Sequence, residues 1–80
     1  MKHVYLLQSI TLPDQRYVGL TTDLDSRLAA LNAGQFFYTA KFRTWKLITS
    51  LILINDDKAA QFEKYLKSGP GRAFANKRLW

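Results

Sequence analysis

Cysteine is absent from this chain, and its absence removes three chemistries at once: a disulfide framework, a thiolate nucleophile and any thiolate-bound zinc or iron–sulfur site. Histidine is nearly absent too. With His3 the single imidazole, Ser-His-Asp and Cys-His triads are set aside, as is a histidine-rich zinc site. Long apolar runs are also missing. The stretch from Met1 to Leu7 meets polar Gln8 and Ser9 before a signal-peptide core is complete, and nothing approaches the ~20 apolar residues that span a bilayer. The expectation is an intracellular, cytoplasmic protein with neither leader nor membrane anchor. Acids are scarce as well: six Asp and Glu stand against twelve Lys and Arg, a formal charge of +6 that favours polyanionic partners such as nucleic acid.

What is present fits one small folded domain over residues 1–80. A chain of this length buries only ~60% of its unfolded surface, so its core must be economical. At 48% hydrophobic and 22% charged, the composition is that of a packed protein rather than a disordered tail. From Lys64 onward come Lys67, Arg72, Lys77 and Arg78 with no acid among them. This is either a phosphate-holding surface or simply a solvated basic face.

The spacing of apolar residues predicts the order β-β-α-β-α-α. Residues 3–9 and Arg16–Thr21 are β-prone, with Leu12-Pro13-Asp14-Gln15 as turn chemistry between them, and together they read as a hairpin. Thr22 followed by Asp25 resembles a capping box. Leu24, Leu28 and Leu31 repeat at helical spacing, and Gly34 stands where a C-terminal glycine belongs, giving a helix over about residues 23–33. Gln35–Thr44 lacks a period and mixes Phe36, Phe37, Tyr38 and Phe42 with Lys41 and Arg43. Such aromatics either stack on bases or pad the core, and in a small protein the core is the commoner use.

Trp45–Ile54 is the most apolar, β-branched run and is expected to be the central strand. Asn55-Asp56-Asp57 ends it and caps a second helix with Ala59, Phe62 and Leu66 as its apolar stripe. Gly69-Pro70-Gly71 is expected to stop that helix. A short third one over about residues 72–79 turns Phe74 and Leu79 inward. The fold class is α/β: a three-stranded, mostly antiparallel sheet flanked by helices.

Two charged residues do not fit a simple amphipathic pattern. Most acids have structural uses, with Asp14 in a turn and Asp23, Asp25, Asp56 and Asp57 near helix N-termini. Glu63 instead follows Ala59 by four residues and precedes Leu66 by three, which points its carboxylate along the edge of a buried stripe. Arg27 lies likewise between Leu24 and Leu31. They either form a structural ion pair or belong to a site. A lone carboxylate completed by water and phosphate oxygens suits Mg²⁺ or Mn²⁺, and arginine suits a bidentate grip on phosphate, so phosphodiester cleavage fits these parts.

Taken together, these residues resemble the GIY-YIG nuclease superfamily. Val4-Tyr5-Leu6-Leu7 and Arg16-Tyr17-Val18-Gly19-Leu20-Thr21 look like the two halves of its signature, with His3 in place of the first glycine. Asp23–Leu28 with Asn32-Ala33-Gly34 resembles the helix that carries the family's arginine, and Trp45-Lys46-Leu47 its next strand entry. Phe62–Gly69 followed by Gly71–Ala75 resembles the helix of its metal-binding glutamate and the segment after it. The likeness covers nearly the whole chain, which resembles the small stand-alone bacterial members and the N-terminal domain of the excision-repair incision subunit.

The resemblance implies a role for each residue. Glu63 would hold one Mg²⁺ or Mn²⁺ ion, and Arg27 would bind the scissile phosphate. Tyr5 and Tyr17 would shape the site, one of them helping to activate water once cation and arginine favour its phenolate. By their charge rather than by the resemblance, Lys41, Arg43, Lys67, Arg72, Lys77 and Arg78 are the expected contacts to nucleic acid, DNA ahead of RNA, and a larger repair protein is a further expected partner. One departure matters. Leu31 stands four residues after Arg27, where many members carry His or another polar group, so the chemistry is slower, completed by a residue such as Tyr38, or absent. Asn76 is a further polar residue in the C-terminal segment. Three readings remain: a metal-dependent endonuclease of DNA repair or recombination, a nucleic-acid-binding module without turnover, and a protein-interaction domain.

Overall fold

A computed structural model describes residues 1–80. Its elements are β1 (Lys2–Ser9), β2 (Arg16–Thr21), α1 (Leu24–Asn32), the single-turn α2 (Phe37–Ala40), β3 (Trp45–Leu53), α3 (Asp56–Leu66) and α4 (Gly69–Arg78). Apart from α2, this is the expected order. The three strands form one antiparallel sheet in the order β2-β1-β3. The central strand is therefore β1, and the expectation for Trp45–Ile54 is corrected.

The reason lies in which strand is covered on both sides. In β1, Val4, Tyr5, Leu6 and Leu7 are all fully buried, as a strand with both faces covered must be. β3 is apolar but lies at the edge, where Ile52 is 57% exposed. Its register explains why it shows no clean alternation. Leu6 pairs with Thr49 but Leu7 with Leu47, so the ladder skips Ile48 in a bulge. One extra residue exchanges the two faces of a strand. Leu53 thus joins the core under α3, while Trp45 reaches the opposite face.

The two faces carry separate clusters. Val4 and Leu6 pack with Ala59, Leu66 and Ala75 of α3 and α4, with Val18, Leu20 and Phe62 beside them. Tyr5 and Leu7 pack with Leu31 and Trp45, with Tyr17, Leu24, Leu28 and Phe42 beside them. Helices α1 and α3 therefore lie on opposite faces of the sheet.

Local sequence sets the helix ends, with two corrections. The N-cap of α1 is Asp23 rather than Thr22: its carboxylate accepts from the Ser26 amide at 3.1 Å and the Ser26 hydroxyl at 2.9 Å. Gly34, at φ +78°, follows α1 in the left-handed conformation that glycine tolerates. Asn55 caps α3 as expected, accepting from the Lys58 amide at 3.0 Å. α3 does end before Gly69-Pro70-Gly71, as expected, but the last helix begins there rather than at about residue 72: the segment forms the first turn of α4, because Ser68 caps it and proline fits a position whose N–H needs no partner. Gly71 is needed for close packing, since a Cβ there would run into the Tyr65 carbonyl and Leu66 Cα of α3. Leu79 packs against the core, whereas Phe74 is 39% exposed and lies beside Phe62 and Tyr65 instead of pointing inward.

Candidate active site

Three of the four residues expected to do chemistry converge on the α1 face. Tyr5 is pinned there by strand register. It pairs across the hairpin with Gly19, and its ring lies so closely over that residue that a Cβ would overlap its Cζ and hydroxyl. Glycine at 19 thus makes room for the phenol. The Tyr17 ring stands 6.1 Å from that of Tyr5 and 6.2 Å from that of Trp45. From α1, the Arg27 guanidinium donates to the Tyr5 hydroxyl over a long 3.5 Å and lies 5.5 Å above the Phe36 ring.

The electrostatics of Tyr5 follow from where it sits. Its pKa is raised above the ordinary phenol value, chiefly because burial penalises the anion and then because the Tyr17 phenol lies beside it; Arg27 pulls the other way and is outweighed. In the protein alone Tyr5 is therefore a neutral phenol at physiological pH. It can receive the guanidinium's hydrogen bond and fix its direction. Tyr17 is only partly buried, so solvent can reach it.

Two clefts meet at Tyr17. The first, about 430 Å³, is lined by Tyr17, Arg27, Leu31, Phe36, Phe37 and Tyr38, among others. Leu31 is 2% exposed, so this cleft has an apolar wall where a polar side chain was looked for, while Tyr38 lines the same cleft from an exposed position. The second, about 500 Å³, lies between β2 and the α3–α4 end and is lined by Arg16, Tyr17, Lys67, Arg72 and Asn76 with Trp80. Because Tyr17 lines both, the exposed edge of β2 is the place where the two faces communicate.

Glu63 lies on the other face. It lines neither cleft, its side chain is 19% exposed, and its Oε2 pairs with Lys67 Nζ at 2.7 Å. The structural Arg27–Glu63 ion pair does not form. Glu63 instead reaches the second cleft through Lys67, one turn on. No group of three or more His, Cys, Asp or Glu gathers anywhere in the chain. A cation would thus rest on Glu63 alone, whose second oxygen takes no protein hydrogen bond. That donor set suits an ion that keeps several waters and takes phosphate oxygens from its substrate, as Mg²⁺ does.

Of the basic residues expected to meet nucleic acid, Lys67 and Arg72 line the second cleft, and Lys77 and Arg78 end α4 in the open. Lys41 is exposed with its ammonium 5.3 Å from the Phe42 ring, and Arg43 donates to the Ala33 carbonyl at 3.3 Å. Sequence reasoning missed Arg16. Its guanidinium donates to Asn76 Oδ1 at 3.0 Å and lies 4.7 Å from the Trp80 ring, bridging β2 to α4. Its only sequence signal was a cation adjoining Tyr17.

A small antiparallel sheet with a tyrosine from each hairpin strand and an arginine from the following helix defines a class of nuclease-type domain. The family model described as the GIY-YIG catalytic domain matches residues 1–76. The chain belongs to the GIY-YIG family. No curated protein and no solved structure matches it significantly.

Proposed function

We propose that this chain is an endonuclease that hydrolyses phosphodiester bonds, in DNA ahead of RNA, with one divalent cation, Mg²⁺ or Mn²⁺, held by Glu63. The observation that carries the reading is the contact of Arg27 with the buried, neutral Tyr5 hydroxyl at a cleft that Tyr17 also lines. A guanidinium held in this way meets a phosphate as a preset fork, so its stabilisation of the developing charge needs little rearrangement. Tyr17, open to solvent beside it, orients the attacking water. The water oxygen bonds to phosphorus, the ester P–O bond breaks, and the leaving oxygen takes up a proton as the water loses one. The bound cation would supply a Lewis acid for the phosphoryl oxygens.

The basic residues of the second cleft, Arg16, Lys67 and Arg72, would hold flanking phosphates. Phosphate contacts carry no sequence information, so broad or structure-based substrate choice is expected. A cytoplasmic role in DNA repair or recombination, beside a larger repair protein, fits that choice. No helix is long and apolar enough to cross a membrane.

A second reading has an observation of its own. Leu31 lines the Arg27 cleft with hydrocarbon, and Glu63 is engaged by Lys67, which favours a module that binds nucleic acid without turnover. Supercoiled plasmid and branched DNA, incubated with the protein in Mg²⁺ and then Mn²⁺, separate the two. Nicking abolished by both Arg27→Ala and Glu63→Ala supports the nuclease. Salt-sensitive binding without nicking replaces it with the second reading.

A further inference from the structure

Phe36, Phe37 and Tyr38 follow one another beside the Arg27 cleft, and they are not core. Phe37 is 86% exposed and Tyr38 80%, whereas Phe42, a few residues on, packs against Trp45 with ring centroids 6.4 Å apart. Padding of the core accounts for Phe42 and fails for the other two. Large aromatics left in water at adjacent positions are the informative exception to burial.

Nor are they on a loosely held segment. Thr39, between Tyr38 and Ala40, is buried, and its carbonyl accepts from the Trp45 indole at 3.0 Å. The side chain of Asn32 clamps both backbone groups of Trp45, accepting from its amide at 2.6 Å and donating to its carbonyl at 3.1 Å. Arg43 ties the far end back to the Ala33 carbonyl at 3.3 Å. The two exposed rings stand edge to face with centroids 5.6 Å apart. Phe36 is spoken for, since it lies under the Arg27 guanidinium. What remains is a braced pair of aromatic faces at the mouth of a cleft that holds an arginine.

We propose that Phe37 and Tyr38 form a stacking wedge for an unpaired base, so that the protein engages DNA where the duplex is interrupted by a bulge, flap or gap. Charge selects this occupant over an apolar protein surface: from Gly34 to Arg43 the segment carries Lys41 and Arg43 and no acid, next to Arg27, in a chain of net charge +6. Every base offers a π-face, so stacking tolerates sequence while it discriminates against a closed duplex. With the base held by the wedge, the adjoining phosphate falls to the cations beside it. The inference rests on the nucleic-acid reading of this same site and gives it a substrate class.

The test is binding by fluorescence anisotropy of the full chain in EDTA, where cleavage cannot intervene. A duplex with a single unpaired nucleotide is compared with the same duplex fully paired. Wild type is expected to prefer the bulged DNA. Phe37→Ala and Tyr38→Ala should each weaken bulge binding about tenfold, given ~1–3 kcal/mol per stacked base, and leave the paired duplex nearly unchanged. Phe37→Trp should retain the preference and Phe37→Leu should lose it. Both positions are solvent-exposed, so the variants are expected to fold.

Equal losses on the two DNAs, no loss on either, or full retention by Phe37→Leu would each overturn the wedge. So would concentration-dependent self-association that Phe37→Ala abolishes, because the patch would then face a second copy. The two proposals fail separately. Bulge preference without nicking in Mg²⁺ sinks the nuclease and spares the wedge, whereas Arg27-dependent nicking with no bulge preference does the reverse.

Discussion

Val4 and Leu6 point from β1 into an aliphatic cluster closed by α3 and α4, whereas Tyr5 and Leu7, one residue out of step, meet Tyr17, Leu31 and Trp45 beneath α1. All four are fully buried, yet the two sides end differently. On the first side, Ala59, Leu66 and Ala75 fill the space with hydrocarbon. On the second, a buried phenol meets a guanidinium, and a cleft opens beyond it. One strand in a small domain thus serves stability through its even positions and the site through Tyr5. The division also constrains the chemistry, because Arg27 and Glu63 belong to opposite sides and can share a substrate only around the edge strand β2.

The largest effect should come from the closed side. Leu6→Ala is expected to cost ~2–5 kcal/mol, since the surrounding aliphatic groups cannot collapse fully into the gap. In a domain of this size that lowers Tm by roughly 10 °C or more, readable by thermal denaturation. Arg27→Ala should do the opposite, cutting nicking by ~100-fold or more while Tm moves little. A Leu6→Ala protein that keeps its Tm, or an Arg27→Ala protein that loses most of it, would show that stability and site are not divided between the two faces.

Gly19→Ala should fall between, because it touches both properties through one contact. The new Cβ collides with the Tyr5 ring, which is walled in by Tyr17 and cannot withdraw without disturbing the site. Overpacking of this kind costs ~1–3 kcal/mol, and nicking should fall with it as Tyr5 leaves Arg27. The comparison is sharpened by a double-mutant cycle with Tyr5→Leu. If the cost of Gly19→Ala persists undiminished in that background, the clash assigned to the Tyr5 ring is not its cause.

Most of the fold was legible in the sequence because its signals are local. The hairpin, the α1 stripe, Gly34 and the Asn55 cap each depend on residues within a few positions of one another. What was misread depends on neighbours distant in sequence or on a cap that competes with a stop signal. Trp45–Leu53 looks central because it is apolar without alternation, but the missing alternation arises from the skipped Ile48, and only pairing with β1 reveals it. Gly69-Pro70-Gly71 marks the end of α3 rightly, but that it also opens α4 is seen only once the Ser68 hydroxyl accepts from the Gly71 amide. In the site, Tyr5, Tyr17 and Arg27 could be named from their motifs. The raised pKa of Tyr5 could not, since it comes first from burial and then from the neighbouring Tyr17 phenol. Arg16 was missed because its partners, Asn76 and Trp80, lie some sixty residues away.

The smallest effect concerns Asp23, which begins the helix that carries Arg27. Its carboxyl titrates below the ordinary carboxylate value, first because it accepts from the Ser26 amide and then from the Ser26 hydroxyl. A carboxyl whose folded pKa is depressed stabilises the fold at pH above its unfolded value of ~3.9, and the contribution disappears as pH falls through the folded value. Asp23→Asn isolates the charge, because asparagine is also a good N-cap. The Tm of wild type should therefore exceed that of Asp23→Asn near neutrality, and the gap should close as the solution is taken below about pH 4. Since Asp23 is exposed, the difference should be small and should shrink with added salt. A gap that stays constant across that range would mean that the charge of Asp23 adds nothing to the start of α1, and that its hydrogen bonds to Ser26 begin the helix that carries Arg27 without it.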